Sequence, residues 1–291
     1  MGPRAAPPAS RVCGRREETG RGMDDDAVDL QMDRAHSARM YDYYLGGHTN
    51  FLADREAVGK VLSVFPSVMV AARANRAFMH RSTRFLAHRG LRQFLDIGTG
   101  IPNSPNLHEV AQSVAADARV VYVDNDPIVL AHAKALLRSH EAGHTGYIEA
   151  DLADPASILS APTLLETLDL SRPVALSMNA VLNFIPDERG AYSIVQRLKD
   201  ALAPGSALVI SHGTRDFDPV VVQKGVVDVY QAAGTPVQAR DRDEVARFFD
   251  GWDLVDPGIT ATYRWRPDGD AAVLDMTDAQ AAAYVGVAVK P

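Results

Sequence analysis

The chain of 291 residues contains a single cysteine, Cys13, so no internal disulfide can form and thiolate zinc clusters are excluded. It has no apolar run approaching the roughly 18 residues that a membrane span requires. The opening Met1-Gly2-Pro3-Arg4-Ala5-Ala6-Pro7-Pro8 carries arginine but no apolar segment, which is not the pattern of a secretory signal. An excess of positive charge is missing as well: 30 Lys and Arg stand against 37 Asp and Glu, a net charge of −7. Tight, non-specific nucleic-acid binding needs clustered cations that neutralise phosphates, so it is not expected here. A cytoplasmic enzyme acting on a small or cationic ligand is. Large apolar side chains are scarce over residues 1–30, which are rich in Arg, Gly, Pro and Asp. That stretch is expected to be a disordered tail, with Met23 a candidate for the true start. No internal repeat is visible.

What is present is ordinary globular composition, 46% hydrophobic and 23% charged, enough for one large domain or one domain with a lobe. From Arg34 to Gly90 the apolar spacing is helical. It predicts helices over about Arg34–Leu45, broken by Gly46-Gly47, Leu52–Phe65, stopped by Pro66, and Ser67–His88. After Gly90 the period changes. Strand-like runs at Gln93–Ile97, Val120–Val123, Gly146–Ala150, Val174–Met178 and Ala207–Ser211 alternate with helical segments, two of which open on the capping pairs Asp126-Pro127 and Asp154-Pro155. Such alternation predicts a parallel, doubly wound sheet. Near the end come a helix around Asp243–Phe249, strand-like Trp252–Val255 and Ala261–Trp265, a turn at Pro267-Asp268-Gly269 and a closing run Ala282–Val289. Ala261–Trp265 and Ala282–Val289 are expected to add antiparallel strands at the sheet edge.

The chemistry concentrates in Phe94-Leu95-Asp96-Ile97-Gly98-Thr99-Gly100 and, one β-α unit later, Val120-Val121-Tyr122-Val123-Asp124. In an open α/β sheet, strand ends of this kind hold a nucleotide. Gly98 and Gly100 allow a sharp bend and close backbone approach to a ligand. A dinucleotide fingerprint would continue to a third glycine, where Asn103 stands, and would not place an acid directly before the bend, since Asp96 would repel a pyrophosphate. Asp96 suits the ammonium of a methionine moiety beside a sulfonium. Asp124 suits two ribose hydroxyls. Asp151, which ends the third strand, suits an adenine amino group, with the Leu152 N–H within reach of a ring nitrogen. Three successive strands ending in Asp distinguish this from isolated turn residues. Asn125, next to Asp124, and Asn179, which follows the fourth strand, complete the candidate donor-binding set. The pattern favours S-adenosyl-L-methionine over a dinucleotide.

Together with Ala38-Arg39-Met40-Tyr41-Asp42-Tyr43-Tyr44-Leu45-Gly46-Gly47-His48-Thr49-Asn50-Phe51, Ala71–Phe78, Val121–Pro127 and Leu202–Ser206, these motifs make the chain recognisable. From Arg34 to Pro291 it resembles an actinobacterial S-adenosylmethionine-dependent methyltransferase family once filed as a domain of unknown function. The resemblance implies a Rossmann-like methyltransferase fold: a mostly parallel sheet with an antiparallel C-terminal edge and a helical N-terminal lid. On that reading residues 31–90 form the lid region and residues 91–291 the donor-binding domain. It implies a methyl donor held at Asp96, Gly98, Gly100, Asp124 and Asp151 but supplies no substrate; the absence of nucleic-acid features alone makes a small-molecule acceptor the expectation, with neither nucleic acid nor membrane as partner and no particular oligomeric state. Tyr41, Tyr44, Gly46, Gly47, Asn50 and Phe51 become candidate lid residues. The chain departs from its relatives at Ala180-Val181-Leu182-Asn183-Phe184, where Asn183 replaces a histidine, and, mildly, at Ile101-Pro102-Asn103.

Candidates for a catalytic role are His212 at the end of the fifth strand, Asn183 and Tyr41. An imidazole suits proton removal near neutral pH. The Asn/Asp-Pro-Pro-Tyr cluster of amino-directed nucleic-acid methyltransferases is absent after Asn179. His140-Glu141-Ala142-Gly143-His144 matches a zinc-protease pattern in letters, but Gly143 and the coming strand argue for a helix end, so no metal is expected. Arg73, Arg76, His80 and Arg84 share one side of the third helix and read as a solvated face paired with acids. Two rivals accompany the leading reading: an NAD-dependent oxidoreductase, disfavoured by Asp96 and Asn103, and a non-catalytic binder of the donor or its product, which the loss of histidine at Asn183 would suit.

Overall fold

The computed structural model describes residues 1–2, 31–136, 138–217, 220–268 and 275–291. The expectations for the tail and for Met23 concern residues outside this set, as does Gly269 of the predicted turn. Three helices come first: α1 (Ser37–Tyr44), α2 (Leu52–Val64) and α3 (Val68–His88). Strand β1 (Gln93–Ile97) then begins the alternation, followed by α4 (Leu107–Val114), β2 (Arg119–Asp124), α5 (Pro127–Leu136) and β3 (His144–Glu149). After α6 (Pro155–Ser160) and α7 (Pro162–Thr167) come β4 (Ala175–Asn179), α8 (Ala191–Asp200) and β5 (Ala207–Gly213). The end of the chain adds α9 (Val220–Ala232), α10 (Arg242–Ala246), β6 (Asp253–Leu254), β7 (Thr260–Ala261) and β8 (Ala283–Val289).

Among the described residues the strands form one sheet in the order β3-β2-β1-β4-β5-β8-β6, with β7 also paired to β8. The first five are parallel, in registers such as Leu95↔Val121 and Leu95↔Leu176. Strand β8 runs antiparallel to β5, with Ser211 opposite Val285. All five residues of β1 are buried, as a central parallel strand covered by helices on both faces requires. On one face Leu95, Val121, Leu176 and Leu208 pack with Leu164 and Leu198; on the other Phe94, Val120 and Val287 pack with Phe78, Leu86 and Leu107. This is a Rossmann-like methyltransferase fold with a helical cover. Because β1 has β2 on one side and β4 on the other, the chain reverses its winding there, which opens a crevice at the strand ends.

Two segments differ from the sequence expectation. Ala261–Trp265 is not an edge strand: only Thr260 and Ala261 pair with β8, and Thr262–Arg264 turns into a short 3-10 helix. Trp265 is thereby carried into the core, fully buried and edge-on to Phe78 and Phe85 at 5.4 and 5.6 Å. Arg81 fixes the bend by donating to the carbonyls of Thr262 and Trp265. A straight strand would leave those carbonyls in its ladder and would not bring the indole over α3. The second difference is α9, a helix absent from the expected elements, which packs on α2 and covers the crevice.

Candidate active site

Each β-strand from β1 to β5 brings one end of itself to the crevice. After β1 the chain bends at Gly98 and Gly100, with φ of +74° and +68°. A side chain at Gly98 would be strained by that backbone and would collide with Val181. Thr99 Oγ1 donates to the carbonyl of Asp96 (3.1 Å), and the Gly98 N–H donates to that of Val123 (2.8 Å), so the bend is tied to both strands. The loop beyond it is gripped from α3. Arg76 Nη2 donates to the carbonyls of Asn103 and Pro105, and His80 Nε2 lies 2.9 Å from the latter. Here the sequence reading needs correction: of the basic stripe, Arg84 is a surface partner of Asp268 (3.3 Å), but Arg76 and His80 hold the loop rather than face solvent. Loop carbonyls left without donors give the physical reason.

Asp96 is buried, and burial pushes its carboxyl up to about 6 although Ser177 and Arg76 pull the other way. Asp124 accepts from the Gly100 N–H (2.8 Å) and the Asp126 N–H (3.0 Å); burial raises it too, opposed by those two donors. Asp151 is exposed and its Oδ1 accepts from Ala153 N–H (2.8 Å), which turns the chain so that the Leu152 side chain enters the core. Asn125 is exposed on the rim. Asn179 Nδ2 donates to Ser177 Oγ (2.7 Å), and its Oδ1 is buried without a partner. All of these residues, with Gly98 and Gly100, line one cavity of about 500 Å³, within the usual range for small-molecule sites.

The cavity continues under α1, α2 and α9. Tyr41 Oη accepts from Asn75 Nδ2 (2.8 Å) and donates to the Ala72 carbonyl (3.2 Å). The hydroxyls of Tyr44 and Tyr230 share a hydrogen bond of 3.4 Å. The remaining lid candidates lie elsewhere. Gly47 and Asn50 pack around Asp42, whose Oδ2 accepts from Asn50 Nδ2 (2.9 Å), and Arg55 Nε donates to Asn50 Oδ1 (2.8 Å). Gly46 serves the same tight turn with φ of +83°, and Phe51 packs with Ile101 and Ile128 beneath Arg39. Among the described residues, none of these four lines the cavity.

His212 and Asn183 are both held from behind. The imidazole is fully buried; its Nδ1 donates to the Gly213 carbonyl (2.8 Å), which leaves Nε2 to accept from Arg240 Nη1 (2.5 Å). Burial, reinforced by the Arg240 charge, pushes it down to about 3, so the ring is neutral with neither nitrogen free. Asn183 Oδ1 accepts from the Gly213 N–H (2.9 Å). Arg240, which no motif in the sequence marks, is fully buried and also donates to the carbonyls of Leu182 and Ile185 and to Asp187 Oδ1. It fixes the loop that presents Asn183 and Phe184 to the cavity. The histidine–glutamate segment is not a helix: α5 ends at Leu136 and His144 starts β3, so His140 and His144 do not share a helix face.

An open, mostly parallel sheet with acids at three adjacent strand ends and a glycine bend beside them defines a nucleotide-binding α/β protein. The unpartnered Asn179 oxygen and Asp96 further ask for a cationic hydrogen-bond donor, and the Arg76 Nε–H, buried and without a partner, asks for an acceptor. A ligand with an ammonium and a carboxylate on one adenosyl unit meets both demands. The chain belongs to the S-adenosyl methyltransferase family, whose profile matches residues 23–291. It is therefore an S-adenosylmethionine-dependent methyltransferase. It is similar to the crystal structure of a DUF574 family protein from Streptomyces avermitilis, at 49% identity and a TM-score of 0.87 over 90% of this chain and 100% of that one. A protein of Thermobifida fusca provisionally described as a methyltransferase is 36% identical, with a TM-score of 0.82 over 90% of this chain and 97% of that one. Among curated proteins none matches the chain. No single helix among the described residues is long and apolar enough to cross a membrane.

Proposed function

We propose that this enzyme methylates a diffusible small molecule, in the cytoplasm, with S-adenosylmethionine laid along the ends of β1 to β4. Asp124 holds the ribose hydroxyls, with Asn125 at its edge. Asp151 and the Leu152 N–H receive the adenine. Asp96 and Asn179 take the ammonium, and Arg76 takes the carboxylate. The bend at Gly98 and Gly100 lets the backbone lie against the ligand. Bound there, S-adenosylmethionine supplies an electrophilic methyl group on a sulfonium. The chain's own work is to position the two reactants and keep water out. In this reading α1, α2 and α9 form the lid, α3 docks the N-terminal helices onto residues 91–291, and Tyr41 and Tyr44 face the reactants while Gly46, Gly47, Asn50 and Phe51 shape the hinge behind them.

His212 and Asn183 act as positioning residues that fix Gly213 and the floor of the acceptor space. Neither serves as a base, because the imidazole nitrogens and the amide oxygen are already hydrogen-bonded. The observation that carries the proposal is the convergence of Asp96, Asp124 and Asp151 with the unpartnered Asn179 oxygen on one cavity. Calorimetry with S-adenosylhomocysteine tests it. We expect one site per chain, abolished in an Asp96→Ala, Asp124→Ala double variant that still folds; equal affinity in that variant would refute the assignment.

A further inference from the structure

The lining of the cavity divides by charge. Its acids, Asp96, Asp124 and Asp151, stand at or just past the ends of β1, β2 and β3. Two of its arginines belong to the same half. Arg76 grips the loop after β1, and Arg34 precedes His36, whose Nδ1 is 3.0 Å from Asp126, just past β2. The other half is built from the loops after β4 and β5 and from α9. Among the described residues it has no lining carboxylate, and its one charged lining residue is Arg189. His212 is kept neutral there by burial and the Arg240 charge. Arg189 is exposed at the end of a 3-10 turn, Asp187–Arg189, and its guanidinium has no hydrogen-bond or ion-pair partner among the described residues. The acid of that turn is occupied: Asp187 Oδ1 accepts from Arg240 Nε and Nη2. Gln238 shares the corner. Its Oε1 accepts from the Asp187 N–H (2.8 Å), which fixes the amide's orientation and leaves Nε2 as a donor without a partner among the described residues. Thr214 and Thr235 add hydroxyls, and Phe65, Val68, Phe184, Val222 and Val226 supply apolar walls.

We infer that the methyl acceptor is a carboxylic acid with an apolar body, its carboxylate bound by Arg189 and the Gln238 amide. This rests on the donor site proposed above, which occupies the acidic half and leaves this half to the acceptor. A guanidinium presents its N–H groups in a planar fork that matches the two oxygens of a carboxylate, and a neighbouring amide N–H adds a further donor. An ammonium in the same corner would meet the like charge of Arg189 with no lining acid to offset it. The donor's sulfonium repels a cation and attracts an anion as well, so both charges facing this space select the same sign. The chain as a whole is acidic, with 37 Asp and Glu against 30 Lys and Arg. A half-cavity with a guanidinium and no carboxylate is therefore a local exception, and it lies where the acceptor must enter. Because Arg189 is exposed, the group it holds stays at the mouth while the apolar body reaches inward along Phe184 and the valines of α9.

The test uses the full chain loaded with S-adenosylhomocysteine, whose own affinity is measured first. Arylalkanoates of graded chain length are then titrated by calorimetry, each beside the primary amide and the amine of the same skeleton. At low salt the best carboxylate is expected to bind about tenfold more tightly than its amide, the worth of hydrogen bonds to a charged group, with the amine weakest. The preference should shrink as salt is raised, because Arg189 is exposed. Arg189→Glu should reverse the order and favour the amine, which loss of a merely structural side chain would not do. Gln238→Glu keeps an oxygen for the Asp187 N–H but removes the amide donors, and should weaken the carboxylate. Both variants should bind S-adenosylhomocysteine as the natural chain does. An order unchanged in Arg189→Glu, or no carboxylate preferred over its amide at any length, would overturn the carboxylate assignment alone. Failure of the natural chain to bind S-adenosylhomocysteine would remove the donor site on which it rests.

Discussion

At the scale of single residues, the acids at the strand ends differ in what they contribute, and their titration separates them. Asp96 is held at about 6, above its ordinary 3.8, chiefly by burial. A carboxyl raised in the folded state binds its proton more tightly there than in the unfolded chain. The protein without ligand therefore gains stability from this group as pH falls through 6 towards 3.8. On the proposed assignment donor binding has the opposite sign, because an ammonium held by Asp96 needs the carboxylate charged. S-adenosylhomocysteine affinity should thus be about tenfold weaker at pH 5 than at pH 7, one unit below the raised value. Calorimetry at both pH values checks it, and Asp96→Asn should flatten the profile; a profile unchanged in that variant would take Asp96 out of the ammonium site. Asp124 should act through hydrogen bonds instead. Asp124→Ala is expected to weaken S-adenosylhomocysteine roughly a hundredfold, the worth of two hydrogen bonds to a charged acceptor. The strand-end acids were legible in the sequence because a strand, a bend and an acid are local features. Arg76 and Arg240 were not, because their partners lie on other elements: Arg76 grips a loop 27 to 30 residues away, and Arg240 reaches carbonyls and carboxylates 53 to 58 residues away.

At the scale of elements, the parallel strands could be read from the sequence because a strand buried on both faces is a continuous apolar run closed by turn residues. The C-terminal edge could not. A strand of alternating residues and a bend that sinks Trp265 look alike until Arg81 supplies donors for the bend's carbonyls. Helix α9 escaped for a related reason: its valine-rich sequence is β-prone, and it is helical because α2 offers an apolar face to cover. The loop after β4 is the element on which the acceptor space most depends, and Arg240 is its clip. Replacing Arg240 with Gln strands the carbonyls of Leu182 and Ile185 and leaves Asp187 without its cation. Urea unfolding should show a loss of about 3 kcal/mol. S-adenosylhomocysteine affinity should change little, since the acids proposed to hold the donor stand at the ends of β1 to β3, away from this loop. Unaltered stability would mean that the loop is held by something else.

At the scale of the whole molecule, the donor site and its cover are one connected structure. Asp126 donates its N–H to Asp124, and its carboxylate receives Arg39 Nε (3.2 Å) and His36 Nδ1 (3.0 Å) from the start of α1. Asp54 of α2 joins the same cluster, accepting from the His36 N–H (2.8 Å) and facing Arg39 at 3.9 Å. Arg39, Asp54 and Asp126 are all buried, so the cluster is costly to open one partner at a time. If α1, α2 and α9 form the proposed lid, they lift to admit a ligand. The cover should therefore open as a unit, more often than the sheet unfolds, and less often once the donor is bound. Amide exchange measures this directly. Ser37–Tyr44 and Leu52–Val64 should exchange faster than β1, β4 and β5 in the protein alone and slow on addition of S-adenosylhomocysteine. In Arg39→Ala, which leaves Asp126 and Asp54 without their shared cation, exchange of α1 should accelerate roughly a hundredfold while the sheet amides keep their rates, because removal of one partner from a buried ion cluster costs about 3 kcal/mol. Equal acceleration in the sheet would show that Arg39 supports the fold as a whole and that the cover does not move separately from the site it closes.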